Sequence, residues 1–94
     1  MTPAQLEELE AAWPGKWEPT DGDDTQLQRF VCEPGVWFGA FISSENQRWA
    51  CLDYRTTPAY LYGKGATFTE AVADLRSVLA AHVAPFNTAL EALP

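Results

Sequence analysis

Apolar residues return at helical spacing from residue 68 to residue 83: Phe68, Ala71, Val72, Leu75, Val78, Leu79 and Val83, with His82 on the same line. A period near 3.6 puts them on one stripe of a helix, and one such stripe covers a sheet. The run Thr67-Phe68-Thr69-Glu70 has the spacing of a capping box, in which hydroxyl and carboxylate satisfy free amides of the first turn. Gly63 and Gly65 just before it allow a tight approach. Pro85 marks the predicted stop, since proline lacks an amide hydrogen and crowds the preceding turn. The sheet-packing helix is therefore expected over 67–84, with a short C-terminal turn or helix over 87–93. Ala73, Ala80, Ala81 and Ala84 form a small-residue strip beside the stripe, open to a neighbouring element.

Upstream the period changes to two. "VWFGAFIS" (36–43) sets Val36, Phe38, Ala40 and Ile42 on one face and Trp37, Gly39 and Phe41 on the other. "QRWACLDY" (47–54) alternates likewise, with Trp49, Cys51 and Asp53 opposite Arg48, Ala50, Leu52 and Tyr54. Ser43-Ser44-Glu45-Asn46 joins the two as a hairpin loop. "TQLQRFVCE" (25–33) precedes them and ends at the turn pair Pro34-Gly35. "YLYG" (60–63) supplies a short fourth strand. The central run is apolar on both faces, so either it is covered on both sides or one face meets something outside the monomer.

The chain opens with a second helix, expected over 1–13. Thr2 caps it, Pro3 suits the first helical position, Gln5 completes a capping box, and Leu6, Leu9 and Trp13 share a face. Pro14-Gly15 stops it, and "EPTDGDD" reads as turn chemistry. Together these elements predict one α+β domain spanning 1–94. Its antiparallel sheet of three to four strands lies within 25–62. The main helix covers one face, and the N-terminal helix lies beside it, against the alanine strip.

Charge sharpens this picture. The net charge is −7, and residues 1–33 carry eight of the 13 acids but only two of the six bases. An acidic surface disfavours direct nucleic-acid and anionic-membrane binding and favours a basic partner. The acids that would steer such a partner are Glu7, Glu8, Glu10, Asp21, Asp23 and Asp24. Twelve aromatic residues, four of them Trp, are many for a chain of 94. Either they build a thickly aromatic core, or some anchor a partner. Trp17, Trp37, Trp49, Tyr60 and Tyr62 are the candidate anchors. The N-terminus is polar and acidic, with no signal peptide and no membrane-spanning run, and two cysteines make no disulfide framework. A cytoplasmic location is expected.

Catalytic and metal constellations are weak. Asp21, Asp23 and Thr25 match the start of a calcium loop, but Gln26 and Cys32 stand where that loop needs Gly and Glu. Cys32, Cys51 and His82 lack the close spacing of zinc sites. "GKGAT" is not a phosphate loop. No metal, cofactor or enzymatic activity is expected.

Gly65, Thr67, Glu70 and Ala71 match the G-x-T/S-x-x-E-A phrase that opens the main helix of HicB-like antitoxin domains. With the hairpin 36–54 and "YLYG", the chain resembles that family over about half of its length. The N-terminal helix is additional, the family's turn before the phrase is absent, and no basic DNA-binding region follows. The resemblance implies a small sheet-plus-helix fold that neutralises a partner by protein contact.

The leading expectation is a small acidic protein-binding module. It would inhibit a basic, nucleic-acid-acting partner in the manner of an antitoxin or an anti-CRISPR protein. The alternatives are a self-associating accessory subunit that pairs through its aromatic sheet face, a homodimer included, and a small hydrolase using His82.

Overall fold

The structure is a computed structural model that describes residues 1–19, 28–33, 36–54 and 61–94. Its elements in order are α1 (Pro3–Ala12), β1 (Glu18–Pro19), β2 (Gln28–Glu33), β3 (Val36–Ile42), β4 (Arg48–Tyr54), β5 (Leu61–Gly65) and α2 (Phe68–Ala92). The strands form one antiparallel sheet in the order β1-β2-β3-β4-β5. The α+β class is as expected, but the sheet has five strands rather than three or four. The extra strand is the two-residue pairing of Glu18 with Arg29 and Pro19 with Gln28. Its brevity and its proline, tolerated on an edge, leave no alternation to read.

The β3–β4 hairpin keeps the predicted alternation, and its register sets Phe38 opposite Leu52 and Ala40 opposite Ala50. Its loop closes through the Ser43 amide donating to the Gln47 carbonyl (2.9 Å) and the Asn46 amide to the Ser43 carbonyl (2.9 Å). Asn46 takes φ 62°, a left-handed conformation that asparagine tolerates better than most residues. A bulge in β2 falls between Val31 and Glu33.

Both helices lie on one side of the sheet. Val36, Phe38, Ala40 and Ile42 face them, as do Ala50 and Leu52. One core centres on Leu9, Ala40, Ile42 and Phe68, the other on Ala50, Leu52, Ala71 and Leu75. The approach of α2 to β5 is close because Gly63 has no side chain. A Cβ there would meet the Leu75 amide nitrogen and the Ala71 carbonyl oxygen.

The termini of the helices refine the sequence reading. Thr2 and Gln5 form the full capping box. Thr67 Oγ1 accepts from the Glu70 amide (3.2 Å), but the Glu70 carboxylate accepts from the Ala66 amide (2.9 Å) instead of reaching Thr67. The Phe68 amide is taken by Glu8 of α1, at 3.0 Å.

α2 does not stop at Pro85. It runs through it to Ala92, so the expected separate segment at 87–93 is the same helix. Proline removes one hydrogen bond and crowds a turn, which kinks a helix without having to end it. The following Ala, Leu and Glu are good helix formers. At about 1.5 Å per residue the 25 residues of α2 span roughly 37 Å, against roughly 23 Å for a seven-residue strand. The helix therefore overhangs the sheet, and the longest dimension of the molecule is 52 Å. The alanine strip stays exposed in consequence. α1 packs instead over the start of α2, through Leu9 against Phe68.

Candidate interaction surface

Strand alternation builds the second face of the sheet from Arg29, Val31, Trp37, Phe41, Trp49, Cys51, Asp53, Tyr62 and Lys64. No helix of the described residues covers it, since α1 and α2 pack on the other side. Phe41 and Trp49, cross-strand partners, stack with centroids 5.8 Å apart and planes at 4°. Tyr62 meets Trp49 edge-on at 6.1 Å. With Ser43 these three rings line an open groove of ≈ 460 Å³. Tyr62 is 44% exposed and Val31 53%. Phe41, Trp49 and Tyr62 thus form a continuous aromatic row across β3, β4 and β5.

Its charges are attached to its rings. The Arg29 guanidinium lies 4.4 Å from the Trp37 ring centroid, and the Lys64 ammonium 5.9 Å from that of Trp49. Cations so placed are attracted by the electron-rich ring faces. Glu18 pairs opposite Arg29, and Asp53 opposite Trp37, so both signs are present. The Trp49 Nε1–H is buried and lacks a hydrogen-bond partner. Cys51, also on this face, is buried, and desolvation pushes its thiol up to about 11, aided by the Asp53 charge and opposed by a backbone hydrogen bond from Gly39.

Of the expected anchors, Trp37, Trp49 and Tyr62 share this face. Trp17 does not. It packs on the helical side, edge-on to Trp13 at 4.8 Å, and donates from Nε1 to the Trp13 carbonyl at 2.8 Å. Its surplus aromatic area belongs to the core, where Trp13, Phe30 and Phe38 also meet. Tyr60, Asp21, Asp23 and Asp24 lie outside the described residues.

The acids of α1 divide. Glu7 and Glu10 are exposed, in the helical layer rather than on the aromatic face. Glu8 is engaged internally: it accepts from Arg48 Nε (3.2 Å), Arg48 Nη2 (3.0 Å) and the Phe68 amide (3.0 Å). Burial raises its carboxyl pKa, but the Arg48 hydrogen bonds, the Phe68 amide and the Arg48 charge outweigh that and hold it below the ordinary carboxylate value. Glu8 is thus a structural tie among α1, β4 and α2 rather than a free steering charge.

Sequence reasoning passed over Phe41, Arg29 and Lys64 as members of this surface. The alternation of β3 already set Phe41 beside Trp37, and the same rule ties Lys64 to Tyr62. His82, which shares the line of the apolar stripe in sequence, lies exposed on the α2 overhang with its ring 5.7 Å from that of Phe86. Cys51 is on the opposite face of the sheet from α2, so these two do not form a Cys–His pair. Among the described residues no group of three or more His, Cys, Asp or Glu could hold a metal ion, and no helix is long and apolar enough to cross a membrane. Comparison with family models, with characterised proteins and with solved structures found no match.

Proposed function

We propose that the chain is a small, non-enzymatic protein-binding module that inhibits or neutralises a basic, nucleic-acid-acting protein, and that it docks through the open face of its sheet. The observation that carries this reading is the row Phe41–Trp49–Tyr62, which no helix of the described residues covers. Trp and Tyr dominate interface energetics because they bury large area at little entropic cost. A net charge of −7 draws basic partners and repels nucleic acid. Neutralisation by protein contact is also what the HicB-like phrase at 65–71 suggests.

The placement of charge shapes the mechanism. Arg29 and Lys64 balance Glu18 and Asp53 at the aromatic face, so its described residues offer a basic partner no net ionic attraction there. Glu7 and Glu10 lie in the other layer, where they act at a distance on encounter. Affinity then rests on the rings and association rate on the acids.

The test is affinity capture from a native host lysate with wild type and with a Trp49→Ala/Tyr62→Ala variant. The wild type is expected to retain a basic protein and to suppress its action on nucleic acid, while the folded double variant retains little. Equal capture by both overturns the docking face. A captured protein with no action on nucleic acid overturns the inhibitory reading.

A further inference from the structure

From Ala80 to the end of α2 every residue is exposed, yet the apolar pattern continues. Val72, Leu79 and Phe86 recur every seven residues, and Val83 and Leu90 follow on the adjacent line, which Arg76 begins, while Leu93 caps the helix in an extended conformation. Val83 is 36% exposed, Phe86 65%, Leu90 70% and Leu93 67%. A solvated helix end needs no such seam, whereas a seven-residue repeat is the spacing of a helix–helix contact. The overhang also contains Pro85, which costs about 3 kcal/mol in a helix interior. A single helical stretch shorter than about 12–15 residues is marginal in water without packing. The seam runs into an open groove of ≈ 460 Å³ lined by Trp13, Phe38, Val72, Leu75, Leu79 and Val83.

We infer that this seam is a dimer interface, in which the overhangs of two copies of the chain pack antiparallel, each extending over the other's groove. Charge selects the occupant and its direction. Arg76 and Glu91 flank the same side of the seam, near its two ends. An antiparallel pair crossing between Val83 and Ala84 sets Arg76 of each copy level with Glu91 of the other. It forms two opposite-charge pairs. A parallel pair in register would place Arg76 level with Arg76 and Glu91 level with Glu91 and would form neither opposite-charge pair. In the antiparallel arrangement Leu90 of one copy is level with Ser77 of the other, beside the groove. Ala80 and Ala84 flank the seam on the Arg76 side and let the helices come close. The aromatic sheet face takes no part, so dimer formation and partner docking are separate.

The experiment is light scattering of the full chain across a dilution series, with circular dichroism to confirm folding. The wild type is expected to dimerise, and Phe86→Glu/Leu90→Glu to be a folded monomer. Arg76→Glu and Glu91→Arg should each weaken the dimer by about tenfold, and the two together should restore it, as expected of two paired charges. A wild type that stays monomeric overturns the inference. So does a dimer that survives Phe86→Glu/Leu90→Glu, or one lost instead through Tyr62→Glu. Failure of the double charge swap to restore the dimer overturns the antiparallel register.

Discussion

Replacing Glu8 by alanine removes three hydrogen bonds that join three elements. Arg48 loses its carboxylate partner at 3.0 and 3.2 Å, and the Phe68 amide at the start of α2 loses its acceptor at 3.0 Å. The Arg48 side chain is 12% exposed, so its guanidinium is left largely desolvated, keeping among the described residues the Asn46 carbonyl at 2.8 Å and the Phe68 ring at 6.0 Å. Hydrogen bonds to a charged group contribute about 1.5–3 kcal/mol, and loss of an N-terminal helix acceptor costs about 1 kcal/mol. Glu8 itself is 33% exposed, so solvent screening discounts the ionic part. The expected net loss for Glu8→Ala is about 2–3 kcal/mol, from the roughly 5–14 kcal/mol typical of a domain this size. Glu8→Gln keeps an acceptor and should lose about 1 kcal/mol. Urea unfolding followed by Trp fluorescence reads both, and a double-mutant cycle with Arg48→Ala isolates the pair. The pH dependence has a fixed sign. The folded Glu8 carboxyl lies below its ordinary value, so its contribution is full above the unfolded pKa and vanishes as pH falls through the folded one. Wild type should lose more stability than Glu8→Gln on acidification. A loss under about 0.5 kcal/mol for Glu8→Ala, with no difference in acid sensitivity, refutes the tie.

Three further outcomes follow from the same packing. Gly63→Ala drives a Cβ into the backbone of α2 at Ala71 and Leu75, with Leu75 Cα only 2.7 Å away, and should cost about 3 kcal/mol. Its melting temperature should fall by more than about 12 °C, and an unchanged midpoint contradicts the close contact. Trp49→Phe keeps a ring on Phe41 and removes a buried N–H without a partner, so its stability should change by under about 1 kcal/mol. A loss above about 2 kcal/mol in the same urea titration means that the indole N–H is bonded. The Cys51 thiol, pushed up to about 11, should resist iodoacetamide at pH 8 in the native chain and react on unfolding, with mass spectrometry locating the label. Its raised value means that the stability it confers is present at neutral pH and is lost only as pH climbs through that value.

Much of the fold was legible because its signals are local. Alternation in β3 and β4 and the caps at Thr2 and Thr67 each need only neighbours in sequence. The errors arose where a local signal competes with a global dimension. Pro85 is a strong stop signal, but a proline can be carried inside a helix, and α2 continues past it and past the sheet to Ala92. Trp17 looked surplus because its partner carbonyl, at Trp13, belongs to a chain path that composition does not reveal. Glu8 read as one acid among three on α1. Its ion pair with Arg48 spans 40 positions and depends on α1 folding over the start of α2. The candidate surface was half legible: alternation separated Trp37 and Trp49 from the helix-facing residues, while the absence of either helix from that face required knowing where both pack.

The central claim is that the aromatic face, and not the helical layer, holds the partner. The most direct measurement is the dissociation rate of the captured partner from three variants of unchanged stability. Tyr62→Ala should speed dissociation at least tenfold, the loss expected of an aromatic anchor. Glu7→Lys/Glu10→Lys should leave dissociation nearly unchanged and slow association at low salt. Phe86→Glu/Leu90→Glu should alter neither rate. Dissociation that responds to the α1 or α2 variants and ignores Tyr62→Ala would contradict the account.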